Sequence, residues 1–317
     1  MAYFDPDRAV FAALAATLAA PPETTRFEYV NRSAVAQFGD DLRGRRVIEL
    51  FATILGDDVL GNKAFARLLK DGSLTIEGQL NGRDVQGHAM VDPAERHLQT
   101  AIVDITESRR AQEGFEYTVY ALARASEVND QDTGQHNLRI ARYAAELARL
   151  AGEPATFVDA LALLAQLHDI GKIHIAPSLL RKPGRLTEAE YETVKLHTVY
   201  GARIIGDHPR LRVARDITLS HHERWDGSGY PQQRQGEAIP LAARIVAIVD
   251  VFDALVTARS YKSAFSYADA ARIMREGDDR LEPHRHFDPA LLTLFLDHYD
   301  HFTDIHRVLQ DAPTVLG

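Results

Sequence analysis

Histidine and aspartate stand side by side at His168 and Asp169, at the end of an apolar stretch of the chain. The helical period of residues 158–167 turns an apolar face inward, and His168 continues that face. We expect Gly171 to end this helix in a left-handed conformation. An inward histidine is more often a hydrogen-bonded core residue than a ligand, but a buried carboxylate has to be paired with a cation or hold a metal. The pair therefore predicts a metal site, provided that other histidines and aspartates converge on it.

Other helices place histidine or aspartate where their period calls for an apolar residue. Asp132 and His136 are four residues apart and share one helical face. Asp250 interrupts residues 244–252, which are apolar almost all round, so its carboxylate needs a cation. The predicted metal ligands are Asp132, His136, His168, Asp169, His197, His221, His222 and Asp250.

Nitrogen and oxygen ligands in this number suit two or three metal ions, with Asp169 as a bridge between them. The chain has no cysteine, which excludes thiolate ligands. Imidazole and carboxylate suit iron, manganese or zinc, and the spacing does not choose among them. Two metal ions about 3.5–4 Å apart serve in-line attack on phosphorus. The pattern therefore predicts hydrolysis of a phosphoester.

Composition and charge narrow the class of protein. A length of 317 residues suggests about two domains, and 45% hydrophobic residues suffice for a core. The net charge of −9 argues against nucleic acid or an anionic membrane as a partner. No apolar run approaches the ~20 residues of a membrane span, and residues 12–20 lack the basic leader of a signal peptide. We therefore expect a cytoplasmic protein.

The N-terminal third mixes helix and strand patterns. Residues 6–20 predict an N-terminal amphipathic helix within residues 1–21, and residues 26–30 and 97–105 predict strands. Two alternating segments, 74–80 and 84–91, flank Asn81-Gly82, which is a strong hairpin signal.

Three segments of this third resemble a PAS sensor domain. They are Tyr29-Val30-Asn31, residues 44–50 and Asp104-Ile105-Thr106-Glu107. The resemblance implies an α+β, PAS-like domain over residues 22–106. We do not expect a haem in it, because neither His88 nor His97 is marked out as an axial ligand.

Residues 107–129 form a continuous helical pattern that we interpret as a stem. Phe115, Val119 and Leu122 recur at spacings of 4 and 3, as in a coiled coil that joins two protomers. The alternative is that they pack on the core of the following domain. Beyond the stem there is no strand pattern, which indicates an all-α domain. Helices are predicted at residues 136–151, 155–170, 187–206, 211–222, 240–258, 266–276 and 288–299.

Five motifs of the C-terminal part resemble the HD-GYP phosphodiesterases. They are His168-Asp169-Ile170-Gly171-Lys172, Lys182-Pro183-Gly184, Lys195-Leu196-His197-Thr198, the segment from His221 to Pro231 with its Gly229-Tyr230-Pro231, and the segment from Asp250 to Leu255 with Arg259, Tyr261 and Lys262 after it. The resemblance runs from about Tyr117 to Leu296 and implies an all-α HD domain over residues 117–317.

This resemblance implies hydrolysis of cyclic di-GMP to linear pGpG and on to GMP, with iron or manganese as the metal. The resemblance also assigns the role of metal ligand to the eight predicted ligands, from Asp132 to Asp250. It assigns catalysis to His168, Asp169 and Lys172, and substrate contacts to Lys172, Tyr230, Arg259 and Lys262. Without the resemblance, Arg259 and Lys262 would be ordinary cations at a helix end.

The sequence departs from the family at Asp132, where members with three metals have Glu. The side chain of Asp is one methylene shorter, so a third metal and efficient cleavage of the linear intermediate are in question. Ser260 also replaces a Pro between Arg259 and Tyr261, a smaller change.

The resulting prediction is a cytoplasmic homodimer that degrades cyclic di-GMP under control of a PAS-like sensor. One alternative is a catalytically weak receptor that binds the messenger and signals by contact with partner proteins. A second is a phosphodiesterase for a related cyclic dinucleotide. A third, an HD-type nucleotide phosphohydrolase, is disfavoured because such enzymes lack the segment from His221 to Pro231.

Overall fold

The computed structural model describes residues 12–19, 22–38, 42–92, 94, 96–127, 134–258 and 264–310. The chain divides into two compact units between Gly114 and Phe115. This boundary lies inside the predicted stem and close to the predicted start of the C-terminal domain at residue 117. Within the described ranges, no helix combines the length and the apolar character that crossing a bilayer requires.

The N-terminal unit contains one antiparallel sheet with the strand order β2-β1-β5-β4-β3. Three helices lie between β2 and β3 in the chain, and a fourth begins after β5. The elements are β1 (Ala12–Thr17), β2 (Tyr29–Val30), α1 (Arg32–Phe38), α2 (Val47–Leu55), α3 (Asp58–Asp71), β3 (Ser73–Leu80), β4 (Arg83–Asp92), β5 (His97–Asp104) and α4 (Thr106–Glu127).

The predicted hairpin is confirmed as the pair β3 and β4. Their register ends at Leu80↔Arg83, and Asn81-Gly82 forms the turn. Both turn residues have positive φ, 51° for Asn81 and 75° for Gly82, as the favoured two-residue hairpin turn requires. The strand predicted at 97–105 is also present, as β5.

The helix predicted for residues 6–20 is wrong where the structure describes it, because Ala12–Thr17 is the strand β1. This strand pairs with β5 along its whole length and with β2 at two positions. Leu14 and Ala16 are buried on alternate positions, so pairing and burial in the sheet outweigh the helix propensity of alanine. Residues 1–11 lie outside the described part of the chain.

The core of the N-terminal unit lies between the sheet and its helices. Leu98 and Ile102 of β5 face the same core as Phe51 of α2 and Phe65 of α3. Helix α3 was not predicted from the sequence. Its N-cap residue is Asp57, whose side chain accepts a hydrogen bond from the Leu60 amide at 2.8 Å.

The junction of β5 and α4 is organised by Asp104. Its carboxylate accepts hydrogen bonds from the Thr106 amide at 3.0 Å and from Arg83 at 2.7 Å. The Thr106 hydroxyl accepts a hydrogen bond of 2.9 Å from the amide of Asp84 in β4. Hydrogen bonds from Thr106, together with the Arg83 cation, lower the pKa of Asp104 to about 2.

The C-terminal unit is all-α in its described residues, as predicted. Its core surrounds the helix Leu241–Val256, with Tyr143, Phe252, Phe295 and Phe302 as the largest buried rings. The helices are α5 (Gly134–Leu150), α6 (Ala155–Leu164), α7 (Pro177–Leu180), α8 (Glu188–Lys195), α9 (His197–Ile205), α10 (Arg212–Ser220), α11 (Leu241–Val256), α12 (Tyr267–Glu276), α13 (Pro283–His286), α14 (Pro289–Asp297) and α15 (Tyr299–Gln310).

Two predicted helices are interrupted next to predicted metal ligands, His168 and His197. The helix predicted for 155–170 ends at Leu164 and continues as 3-10 turns at Ala165–Leu167 and Ile170–His174. The helix predicted for 187–206 is divided into α8 and α9 at Leu196. Both interruptions place a histidine of the predicted ligand set at a break in the helix.

The second half of α4 packs on the core of the C-terminal unit. Val119 is 2% exposed and contacts a cluster that includes Leu167 and Ile170. The Arg210 guanidinium lies 4.0 Å from the centre of the Phe115 ring. The prediction that Val119 faces a second protomer is therefore wrong, because its side chain is used within its own unit, whereas Leu122 is 39% exposed.

Candidate metal centre

The structure gathers seven of the eight predicted ligands into two neighbouring groups. Within each group, the nitrogen or oxygen atoms lie within 4.8 Å of one another. The first group is Asp169, His197, His221 and His222, and the second is His136, His168 and Asp250. Asp132 lies outside the described residues, so its predicted role stays a prediction.

These side chains come from breaks and ends of helices more than from helix interiors. His168 and Asp169 lie between the two 3-10 turns, and His197 is the first residue of α9. His221 and His222 follow directly after α10. Five segments that are distant in sequence therefore meet at one place, with His136 on α5 and Asp250 on α11.

The Asp169 carboxylate lies between the histidine rings. Its Oδ2 is 3.2 Å from Nε2 of His168 and 2.7 Å from Nζ of Lys172. Its Oδ1 is 3.3 Å from Nε2 of His197 and 3.7 Å from Nε2 of His221. The two oxygens thus point toward different rings, so Asp169 would contribute to holding a metal ion together with His168 and with His197 and His221.

The main chain sets the tautomer of three of these histidines. Nδ1 of His168 donates a hydrogen bond to the Ala165 carbonyl at 3.1 Å. Nδ1 of His221 donates to the Ile217 carbonyl at 3.1 Å. In His197, Nδ1 donates to the Val194 carbonyl at 2.7 Å. A carbonyl only accepts, so Nδ1 carries the proton and Nε2 presents a lone pair in each neutral ring.

Those lone pairs are buried without partners. Nε2 of His168, His197 and His221, and Oδ1 of Asp169, have no hydrogen-bond partner within the described part of the chain. Buried polar atoms left in this state are costly, and several of them meeting at one point call for a cation. The donor set of imidazole nitrogens and carboxylate oxygens fits a divalent metal ion.

A second carboxylate, Asp253, holds the ring of His136. Asp253 is 1% exposed and accepts hydrogen bonds from Nδ1 of His136 at 2.8 Å and from Nε of Arg139 at 2.6 Å. Nε2 of His136 then faces Asp250, 3.7 Å from its Oδ1. Asp253 is not in either group of candidate ligands, and its contact with His136 supports a ligand from outside those groups.

The charge states of His197, His222 and Asp169 suit metal binding, and His168 is the exception. Burial lowers the pKa of His197 to about 4, with Asp169 offsetting it only in part, and burial holds the pKa of His222 well below its ordinary value. For His168, the Asp169 charge outweighs burial and raises the pKa to about 9. A metal ion would compete with that proton for Nε2. The Asp169 carboxylate stays ionised because Lys172 and His168 outweigh its burial and keep its pKa well below the ordinary value.

Two of the predicted substrate-binding residues adjoin this centre. Nζ of Lys172 contacts Asp169, and 17% of the Lys172 side chain stays exposed. The Tyr230 ring stacks on His222, with centroids 4.8 Å apart and an interplanar angle of 25°. Arg259 and Lys262 lie outside the described residues.

Three glycines near the site allow the backbone to approach a neighbouring segment closely or to adopt a positive φ. Gly171 was expected to close a helix in the left-handed region, but it lies within a 3-10 turn, and that expectation is wrong. A Cβ added there would lie 1.8 Å from the carbonyl oxygen of His197, so no larger residue fits. Gly229, beside Tyr230, is similarly confined by the backbone of Glu223 and Arg224, whereas Gly227 has a φ of +83°.

A cavity of about 830 Å³ adjoins His221, His222 and Asp250. Its lining includes three basic residues that were not predicted from the sequence, Arg224, Arg272 and Arg280. Arg224 had a usable signal, because it lies two residues after the histidine pair, within the same motif. The other two belong to α12 and the loop after it, and carried no motif.

Comparison with known proteins gives a family match and several relatives. The family model described as HD domain matches residues 121–291. A cyclic di-GMP phosphodiesterase of Vibrio cholerae is 41% identical over 209 residues, covering 61% of this chain and 42% of that protein. The 3′3′-cGAMP-specific phosphodiesterase 2 of V. cholerae is 42% identical over 195 residues, covering 61% of this chain and 36% of that protein. A cyclic di-GMP phosphodiesterase of Thermotoga maritima is 38% identical over 191 residues, covering 60% of this chain and 50% of that protein.

The chain spans half or less of the length of these relatives. Among solved structures, the HD domain of the L. monocytogenes phosphodiesterase PgpH in complex with cyclic-di-AMP aligns with a TM-score of 0.42 and 17% identity, over 59% of this chain and 97% of that one. The family assignment rests on the sequence matches.

Proposed function

This chain belongs to the HD-domain family, and we propose that its C-terminal unit is a metal-dependent phosphodiesterase that hydrolyses cyclic di-GMP. The observation that carries the proposal is the convergence of unpartnered histidine Nε2 atoms on the Asp169 carboxylate. The relatives named cyclic di-GMP phosphodiesterases support the choice of substrate.

The proposed ligands of two divalent ions are the two groups around Asp169 and Asp250, with Asp132 added by the family resemblance. Iron or manganese suits imidazole and carboxylate ligands of this kind. Metal ions bound there would polarise the phosphoryl group and lower the pKa of the attacking water.

The protein's own groups position the substrate. Lys172 carries a positive charge beside Asp169, so its ammonium can hold a non-bridging oxygen of the phosphodiester. Tyr230, and by resemblance Arg259 and Lys262, would contact the rest of the substrate. Addition of water breaks the bond from phosphorus to one 3′ oxygen, and that oxygen leaves with a proton to give linear pGpG. A second cleavage gives GMP.

A related cyclic dinucleotide is the second candidate substrate. The observation in its favour is the relative named as specific for 3′3′-cGAMP, which is as similar to this chain as the cyclic di-GMP phosphodiesterases.

We also propose that the N-terminal unit is a PAS-like sensor. Its support is the five-stranded antiparallel sheet in the order β2-β1-β5-β4-β3, with three helices between β2 and β3. The hydrogen-bonded junction at Asp104 and Thr106 leads directly into α4. A homodimer through α4 would use the exposed Tyr117, Tyr120 and Leu122 in place of the buried Val119.

The test is hydrolysis of cyclic di-GMP and of 3′3′-cGAMP by the full chain, with metal content measured on the same samples. We expect turnover that a chelator abolishes, and a loss of about a hundredfold or more in His197→Ala together with loss of metal. His301→Ala is the matched control, because His301 is an exposed histidine paired with Glu146. Full turnover in His197→Ala would rule out the proposed function.

A further inference from the structure

The cavity beside the candidate metal ligands has the size of a small-molecule site. Its volume of about 830 Å³ lies in the range of roughly 300–1,000 Å³ that is usual for such sites. Its lining joins His222 and Asp250 to Phe265, Arg272 and the loop Gly277–Leu281. A ligand that fills it would therefore contact the reacting centre and this loop together.

We propose that this cavity binds one guanine base of the cyclic dinucleotide, which Arg280 and Arg272 recognise by hydrogen bonds and Phe265 by stacking. The inference rests on the proposed phosphodiesterase function and adds the feature that selects among cyclic dinucleotides.

The charges of the lining favour a base over a phosphate at this position. Arg272 and Arg280 are exposed, and neither guanidinium has a hydrogen bond or ion pair with any residue that the structure describes. Asp278 and Asp279 line the same cavity. A phosphodiester would be repelled by these two carboxylates, whereas an uncharged base edge that carries both acceptors and donors suits a mixed set of cations and anions.

The loop that carries Arg280 is held in one conformation. Oδ1 of Asp278 accepts hydrogen bonds from the amides of Arg280 and Leu281, each at 2.9 Å. The Asp278 amide donates to the Leu281 carbonyl at 3.0 Å. Gly277 has a φ of +89°, and a Cβ there would lie 2.5 Å from the Leu281 carbonyl oxygen. The backbone position of Arg280 is thus fixed before the ligand arrives, which lowers the entropic cost of binding.

Arginine separates guanine from adenine by hydrogen-bond type. Guanine presents two acceptors, O6 and N7, which match the paired donors of a guanidinium. Adenine presents N7 beside an amino group, and that amino group is itself a donor. An aromatic ring stacks on either base. Phe265 is 37% exposed and would therefore add affinity without selectivity.

The experiment measures the KM of cyclic di-GMP and the inhibition constant of cyclic di-AMP as a competitor, using the full chain loaded with metal. Arg280→Ala and Arg272→Ala are expected to raise the KM about tenfold each and to leave the inhibition constant unchanged. Phe265→Ala is expected to raise both constants about tenfold. The matched control is Arg275→Ala, an exposed arginine of the same helix α12 that does not line the cavity.

Hydrolysis of bis(p-nitrophenyl) phosphate, a diester without bases, separates this inference from the proposed function. We expect the variants to hydrolyse it as the wild type does, with unchanged metal content. An unchanged KM for cyclic di-GMP in the Arg272→Ala, Arg280→Ala double variant would overturn base recognition while leaving the phosphodiesterase in place. An equal rise for cyclic di-GMP and cyclic di-AMP in the arginine variants would overturn it too, because the arginines would then bind phosphate. A wild type that hydrolyses neither compound would overturn both.

Discussion

The carboxylate of Asp253 holds His136 by a hydrogen bond of 2.8 Å to Nδ1, on the side of the ring away from Asp250. The same carboxylate accepts hydrogen bonds from Nε and Nη2 of Arg139, at 2.6 and 2.8 Å. Burial raises the pKa of Asp253, but the hydrogen bonds from Arg139 and His136 outweigh it and leave the pKa well below its ordinary value. A buried ion pair therefore supports a candidate metal ligand.

Removing Asp253 alone is predicted to lower the free energy of unfolding more than removing both Asp253 and Arg139. Asp253→Ala removes the carboxylate that neutralises the buried Arg139 guanidinium, and we expect a loss of about 3–5 kcal/mol in the free energy of unfolding. The double variant Asp253→Leu, Arg139→Leu removes both charges and should lose less stability. Metal affinity should fall about 10- to 100-fold in both, because His136 loses its support. Urea unfolding and metal titration check this; a double variant no more stable than the single one would contradict it.

Metal removal is predicted to destabilise the C-terminal unit. An ion at a hundred times its dissociation constant stabilises the folded state by about 2.7 kcal/mol, and a chelator should remove that contribution. His197→Ala, which lacks one Nε2 donor, should respond much less to the chelator, while His301→Ala should respond as the wild type does. Thermal unfolding with and without manganese measures the difference. Equal shifts in His197→Ala and wild type would count against a metal site at Asp169.

The N-terminal unit is predicted to lose one stabilising contribution in acid through Asp104. Its folded-state pKa of about 2 is below the ordinary value of 3.8, so its stabilisation is complete above about pH 4 and is lost as the pH falls toward 2. Asp104→Asn should cost roughly 1 kcal/mol at pH 7 and progressively less below pH 4. The measurement is urea unfolding at several pH values, with pulsed hydrogen exchange of the amides in residues 97–106 as the readout. A cost independent of pH would show that the charge of Asp104 is not what stabilises the junction.

Substitutions at Val119 and Leu122, three residues apart in α4, are predicted to change the free energy of unfolding by different amounts. Val119→Ala should lower the stability of the C-terminal unit by roughly 2 kcal/mol, because Val119 is buried against Leu167 and Ile170. Leu122→Ala should change it by less than about 0.5 kcal/mol, because Leu122 is 39% exposed. Urea unfolding of the two variants measures this difference.

If light scattering finds a dimer, Leu122→Glu should weaken it. An unchanged dimer mass in that variant would exclude Leu122 from the interface.

The sequence predicted the gathering of the candidate ligands because polar residues at apolar positions of a helical period have to meet one another. It did not predict the 3-10 turns around His168, because these depend on the close approach of Gly171 to His197, which are 26 positions apart in the chain. It misassigned β1, because an alanine-rich segment has helix propensity, and only pairing with β5 makes it a strand. Helix α15, Arg272 and Arg280 carried no motif and were missed.

The anchoring of the histidine rings makes the candidate centre unevenly vulnerable to mutation. The rings of His168, His197 and His221 are oriented by carbonyl groups that every residue type possesses, so replacing Ala165, Val194 or Ile217 leaves those acceptors in place. His136 depends on a carboxylate that only one residue, Asp253, supplies. A substitution of Asp253 is therefore expected to release the ring of His136 while the other three rings keep their anchors, and so to impair the centre with every histidine still in place.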